Sequence, residues 1–231
     1  MHYGEIIELG RHKLMCGDAT KREDVMKLIG DATIELVLTD PPYGNRKIQK
    51  KHGAIGGLKG SKRIKHGAGK FPLMLGNEST RAARLNYDII KGLTKNIVIF
   101  GGHYFSEFLP PSPGWIFWDK RISGDFGAGE FIWSSLGTKI EKIEFLWNGC
   151  YRRGTYKLNP KPRVHPTQKP VEVLELVMDM YGGRTVLDCF GGSGSTLIAC
   201  EHSGRTCYIM ERAEKYCDDI KERFLSFTGM A

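Results

Sequence analysis

The sequence predicts an α/β fold built on one open, mostly parallel sheet. Short β-branched runs alternate with stretches of helical spacing. Acidic residues stand at the ends of several of those runs, and the glycine-rich turn Gly191-Gly192-Ser193-Gly194-Ser195 joins a strand to a helix. The 231 residues fit a single domain. Such a chain buries roughly 70% of its unfolded surface, so no second core is needed.

Taken in order, His12 to Cys16 reads as a strand ending in the turn Gly17-Asp18-Ala19. Val25, Leu28 and Ile29 keep helical spacing, and Gly30 stops them. Ile34 to Leu38 is the next strand. Strand, helix and strand form a parallel βαβ unit, which brings Asp18 and Asp40 to the rim where ligands bind in open α/β sheets. A helix is expected from Arg81 to Gly92, a buried strand from Ile97 to Phe100, and a short helix from His103 to Leu109, broken by Pro110, Pro111 and Pro113. Trp115 to Trp118 reads as a strand with core tryptophans, closed by Asp119-Lys120. Phe131 to Leu136 reads as helical and Ile143 to Trp147 as a strand. Val171, Leu174 and Met178 share one helical face. Arg184 to Asp188 is a buried strand, Thr196 to Cys200 opens the helix behind the glycine turn, and Thr206 to Met210 is a strand ending at Glu211. Tyr216, Ile220, Phe224 and Phe227 line one side of a final helix.

Composition narrows the class. Hydrophobic content of 41% and charged content of 26% are ordinary for a soluble globular protein. The apolar runs are strand-sized and the first residues lack the regions of a signal peptide, so a cytoplasmic protein without a membrane span is expected. Six cysteines include no Cys-x-x-Cys pair and read as reduced, buried residues, neither disulfides nor a metal site. The net charge of +8 is concentrated: Asn45 to Lys70 carries nine Lys or Arg and no acid, which leaves 25 basic against 26 acidic residues elsewhere. Arg46, Lys47, Lys50, Lys51, Lys62, Arg63 and Lys65 in this segment are suited to phosphates, in an insertion expected to be mobile on its own. A second acid-free stretch, Phe145 to Val171, mixes Arg152, Arg153 and Lys157 with Tyr151, Tyr156, Asn148 and Asn159, a combination suited to nucleic-acid edges and backbone together.

The chemistry centres on Thr39-Asp40-Pro41-Pro42-Tyr43. Two prolines end strand pairing and fix φ, so the Asp40 carboxylate, the Pro41 carbonyl and the Tyr43 ring are held in one stiff crook. Two acceptors beside a flat apolar face suit a planar group bearing an NH2, such as a nucleobase. At the other end of the chain, the glycine turn presents backbone N–H groups with no Cβ in the way. Glu211, about twenty residues onward, is placed to reach ribose hydroxyls. Leu197 stands where a dinucleotide fingerprint has its third glycine, which argues against pyrophosphate and leaves an adenosine cofactor.

Asp40-Pro41-Pro42-Tyr43 resembles the catalytic tetrapeptide of the DNA amino-methyltransferases. Asp188-Cys189-Phe190-Gly191-Gly192-Ser193-Gly194-Ser195 is similar to their S-adenosylmethionine loop, with Cys189 and Ser195 as small departures. His165-Pro166-Thr167-Gln168-Lys169-Pro170 resembles the motif that precedes that loop. Catalytic tetrapeptide first and cofactor loop last is the order of the β class. The resemblance implies a Rossmann-like methyltransferase fold, circularly permuted, with a seven-stranded, mostly parallel sheet and one antiparallel strand. It implies S-adenosylmethionine as cofactor, held by Asp18, Ala19, Asp40, Thr167, Lys169, the loop from Asp188 to Ser195, Glu211 and Arg212. Lys169 then meets the methionine carboxylate. It further implies methyl transfer to the N6 of an adenine flipped out of double-stranded DNA, with cytosine N4 as the alternative. A small recognition region at about 134–164, a homodimer and a cognate restriction endonuclease are the remaining expectations. A basic DNA-binding domain with a vestigial pocket is the non-enzymatic rival.

Overall fold

A computed structural model describes residues 1–44, 79–122, 127–148, 151–152, 158, 165 and 167–230. Its main sheet is made of β1 (Ile6–Leu9), β2 (His12–Cys16), β3 (Leu36–Thr39), β4 (Ile97–Phe100), β5 (Trp115–Asp119), β6 (Gly129–Ser134), β7 (Ile140–Glu144), β10 (Thr185–Asp188) and β11 (Thr206–Glu211). Among the described residues its order is β1-β2-β11-β10-β3-β4-β6-β5-β7, nine strands in all, and β8 (Trp147–Asn148) and β9 (Tyr151–Arg152) form a separate ribbon. The central strands β3 and β4 are buried along their whole length. That is why they are apolar almost without interruption and do not alternate.

Both faces of the sheet are covered. Alternate residues of β3 go to opposite cores: Leu36 and Leu38 to one, Val37 to the other. The first core takes Val171, Leu174 and Met178 of α3 (Val171–Tyr181), Leu197 and Ile198 of α4 (Ser195–His202), and Ile220 and Phe224 of α5 (Glu214–Thr228). The second takes Val25, Leu28 and Ile29 of α1 (Arg22–Ile29) with Ala83, Ile89 and Ile90 of α2 (Arg81–Ile90). No helix of the described residues is long and apolar enough to cross a membrane.

The α/β class, the mostly parallel sheet and the helices at 81, 171, 195 and 214 agree with the sequence reading. Several details do not. Among the described residues the sheet has nine strands where seven were expected, and two of them, β1 and β6, run against the rest. β1 went unread because an edge strand of four mostly half-exposed residues carries little pattern. Phe131 to Leu136 is no helix: β6 lies between β4 and β5, and its Glu130 in, Phe131 out, Ile132 in alternation has a period of two. The strand expected from Ile143 to Trp147 ends at Glu144, and Trp147 belongs to the ribbon. Only Gly102–Phe105 of the helix expected near His103 forms, as a single 3-10 turn. β2 and β3 are parallel as expected but not neighbours, because β11 and β10 lie between them.

Candidate active site

The strand order sets the site. β2, β11, β10 and β3 lie side by side and parallel, so their carboxyl ends open on one rim. One cavity there is lined by Gly17 to Thr20 after β2, Thr39 to Tyr43 at the end of β3, Asp188 to Ser193 at the end of β10 and Glu211 to Ala213 at the end of β11. Thr167, Lys169 and Ser195 also line it. Every residue expected at the catalytic or cofactor positions therefore faces one space, except Gly194, which packs against Ile220 and caps α4 with φ +73°. Arg46, Lys47, Lys50, Lys51, Lys62, Arg63, Lys65, Arg153 and Lys157 lie outside the described residues, as do the whole 45–70 insertion and part of the 134–164 region. Arg152 is described only as backbone of β9.

On the side of the glycine turn, Glu211 holds two backbone donors. Its Oε2 accepts the Gly192 N–H at 2.8 Å and its Oε1 the Ala213 N–H at 2.8 Å. Glu211 is half-buried, and desolvation of its carboxylate raises its pKa despite those donors. Asp18 accepts the Thr20 N–H at 3.0 Å and hydroxyl at 2.7 Å, and Arg212 approaches its other oxygen at 3.6 Å. Asn86 of α2 holds the neighbouring Ala19 carbonyl at 2.9 Å. From behind, buried Arg223 of α5 donates to the carbonyls of Ser193 at 2.8 Å and Leu158 at 2.7 Å and to Ser195 Oγ at 3.1 Å. Burial lowers this guanidinium to about 10. His165 accepts the Thr167 N–H at 3.3 Å and packs edge-on against Tyr216.

The Asp40 side is a dense polar cluster. Lys169 Nζ donates to Asp40 Oδ2 at 2.5 Å and lies 3.3 Å from Glu130 Oε1 and 3.2 Å from the Tyr43 hydroxyl. The Tyr43 hydroxyl contacts Asp40 Oδ1 and, at 2.6 Å, Glu130 Oε1. Lys120 completes the cluster, 3.0 Å from Glu130 Oε2. Burial pushes Asp40 above the usual carboxylate range and the charge of Glu130 adds to this, against the pull of Lys169. Burial also pushes at Glu130, yet the ammonium groups of Lys169 and Lys120 overcome it and hold Glu130 down at about 2. Tyr43 is stacked on Tyr104 with centroids 4.8 Å apart. Its ring sits where Gly101, at φ +67°, leaves no Cβ; one added there would come within 2.6 Å of the ring Cζ.

Glu130, Lys120 and Arg223 were not singled out from the sequence. Glu130 and Lys120 enter only because β6 turns back between β4 and β5 and pairs Glu130 with Trp118. Arg223 sits among the polar positions of an amphipathic helix, where nothing local marks it as buried.

Comparison with known proteins agrees with this fold. Residues 117–222 match the family model described as DNA methylase. A stretch of 56 residues is 43% identical to the candidate methylase YubD of Escherichia coli K12, covering 23% of this chain and 25% of that protein's length. A candidate DNA modification methylase from Thermus thermophilus, solved with S-adenosyl-L-methionine, shares the fold over 94% of both chains at 20% identity, with a TM-score of 0.52. The PvuII cytosine-N4-specific DNA methyltransferase does so over 99% of this chain and 97% of its own at 15% identity, with a TM-score of 0.57. The segment that carries the glycine turn, Lys169 and Glu211 thus matches the DNA methylase family model, within a chain that shares the fold of those two solved structures along most of its length.

Proposed function

We propose that this protein transfers a methyl group from S-adenosylmethionine to an exocyclic amine of a base in double-stranded DNA, with adenine N6 as the acceptor. The observation that carries the proposal is one cavity lined at once by the Asp40 to Tyr43 crook and by the glycine turn with Glu211. The donor set fits the cofactor. Asp40, Asp188 and Glu211 line the cavity, each has a raised pKa, and Asp188 is raised in part by Asp40 and Glu211 in part by Asp188. A cationic ligand relieves that mutual repulsion. Glu211 would hold the ribose, Asp18 and Ala19 the adenine, and the turn from Asp188 to Ser195 the remainder. The bound cofactor supplies a methyl on a sulfonium.

The chain's own work lies at Asp40. An exocyclic amine is a poor nucleophile because its lone pair is delocalised into the ring. Accepting its protons at the Asp40 carboxylate and the Pro41 carbonyl favours a more tetrahedral nitrogen and aims its lone pair. A stacked base cannot reach a recessed crook, so the base must leave the helix. The basic residues of the 45–70 segment and of the stretch after Phe145 would meet the phosphates.

Adenine is preferred because relatives acting on cytosine more often carry Ser in place of Asp40; the match to a cytosine-N4 enzyme's fold keeps cytosine N4 as the second reading. Tritium transfer from labelled cofactor to duplexes, followed by nucleoside analysis, separates them. N6-methyladenine is the expected product. N4-methylcytosine would move the acceptor assignment, and tight DNA retention with no label transferred would reduce the protein to a binding domain.

A further inference from the structure

We propose that Glu130 is a positioning residue that takes Lys169 away from Asp40, freeing the Asp40 carboxylate to receive the amino group of the target base. The inference rests on the amino-methyl transfer proposed above. Both oxygens of Asp40 are engaged, Oδ2 by Lys169 and Oδ1 by the Tyr43 hydroxyl. A base amine needs at least one of them. Lys169 has a second anionic partner within reach, Glu130 Oε1 at 3.3 Å, and the same oxygen lies 2.6 Å from the Tyr43 hydroxyl, whose single proton can go to either carboxylate. Both groups that occupy Asp40 can therefore retire to one neighbouring oxygen without leaving an ammonium or a phenol buried and unpaired, which would be costly.

Glu130 suits this task because it stays ionised. Lys120 holds its other oxygen at 3.0 Å, and the backbone around it is fixed by pairing with Trp118 of β5. Among the described residues, the charged and titratable groups facing this cluster are Asp40 and Tyr43 after β3, Lys169 before α3, Asp188 of β10, Lys120 after β5, and His103, which senses both Glu130 and Lys120.

Glu130→Gln tests the idea. The amide keeps an acceptor for Tyr43 but offers Lys169 no charge, so Lys169 stays on Asp40. Single-turnover methyl transfer at saturating cofactor is expected to fall about 10- to 100-fold, with cofactor affinity by calorimetry within about threefold of the parent. Glu130→Gln combined with Lys169→Met removes the trapped cation, and the double variant is expected to transfer faster than Glu130→Gln alone. A double variant slower still, or a single variant as fast as the parent, overturns the proposal. A measurement without substrate separates it from the functional reading: the carboxyl carbon of Asp40, followed by NMR, should titrate at lower pH in Glu130→Gln than in the parent, and at higher pH in the double variant. An unmoved midpoint rejects the Lys169 hand-over even in an active enzyme. Moved midpoints in a protein that methylates no DNA support the hand-over and reject the reaction.

Discussion

Thr39 donates its hydroxyl to Asp188 Oδ1 at 2.8 Å, a bond between residues 149 apart that ties the end of β3 to the end of β10. The same hydroxyl oxygen accepts the Cys189 N–H at 3.3 Å. The strand that delivers Asp40 and the strand that opens the glycine turn are thereby fastened at the point where both meet the cavity. Thr39→Val keeps the shape and removes the hydroxyl, leaving a buried carboxylate and a buried N–H each short of a partner. Urea unfolding should show a loss of about 1–3 kcal/mol. A loss below a few tenths would mean that the two strand ends are held by the sheet alone.

The two halves of the cavity should separate by mutation. Asp40→Ala is expected to abolish methyl transfer and to leave most of the cofactor affinity, because Asp40 follows β3, two strands away from Glu211 of β11, and holds none of the turn's backbone N–H groups that Glu211 accepts. Glu211→Ala removes the acceptor of the Gly192 and Ala213 N–H groups and should weaken cofactor binding tenfold or more. Calorimetric titration giving the opposite pattern would reverse the assignment of the two sides.

Much of this site was legible because its residues carry their meaning locally. Asp40-Pro41-Pro42-Tyr43 cannot continue a strand, and the glycines from Gly191 to Gly194 disfavour a helix, so both had to be turns at strand ends. Glu211 was legible by its position at the close of an apolar strand. Glu130 was not. Its partners Tyr43 and Lys169 are far away in sequence, and the cluster assembles only because β6 inserts antiparallel between β4 and β5. The six residues from Phe131 fit a helical turn as well as a strand when no neighbour is known; burial between two strands decided for the strand, over local preference. Lys169 was singled out through the motif around it, yet its contact with Glu130 depends on that same insertion.

Arg223 offers a test of how far the glycine turn depends on its support. Its guanidinium is buried and, among the described residues, its partners are carbonyls and a hydroxyl. Arg223→Met approximates the length of the stem and leaves the Ser193 and Leu158 carbonyls without this donor. Charge-assisted bonds of this kind are worth roughly 1.5–3 kcal/mol each before the relief of desolvating the cation is counted. A net loss of about 1–3 kcal/mol is expected, with cofactor affinity falling alongside it. Unchanged affinity in a destabilised variant would show that the turn keeps its shape without α5.

Asp188 should leave a signature in the pH dependence of stability. Burial raises it to about 6 from the usual 3.8, with donors from Thr196, the Phe190 N–H and Thr39 pulling the other way and the charge of Asp40 adding to the rise. The folded state thus binds this proton more tightly than the unfolded chain does. Its stabilising contribution is complete below the unfolded value and is lost as pH rises through about 6. Glu130 has the opposite sign: held at about 2, it contributes above its usual 4.5 and is lost as pH falls below that, so the two windows scarcely overlap. Asp188→Asn removes only the first. Denaturant unfolding of the parent and of Asp188→Asn between about pH 4 and pH 7 should show the parent losing ground by on the order of 1–3 kcal/mol as pH rises. A difference that stays flat across this range would mean that Asp188 is ionised throughout, and that its bond from Thr39 fully offsets its burial.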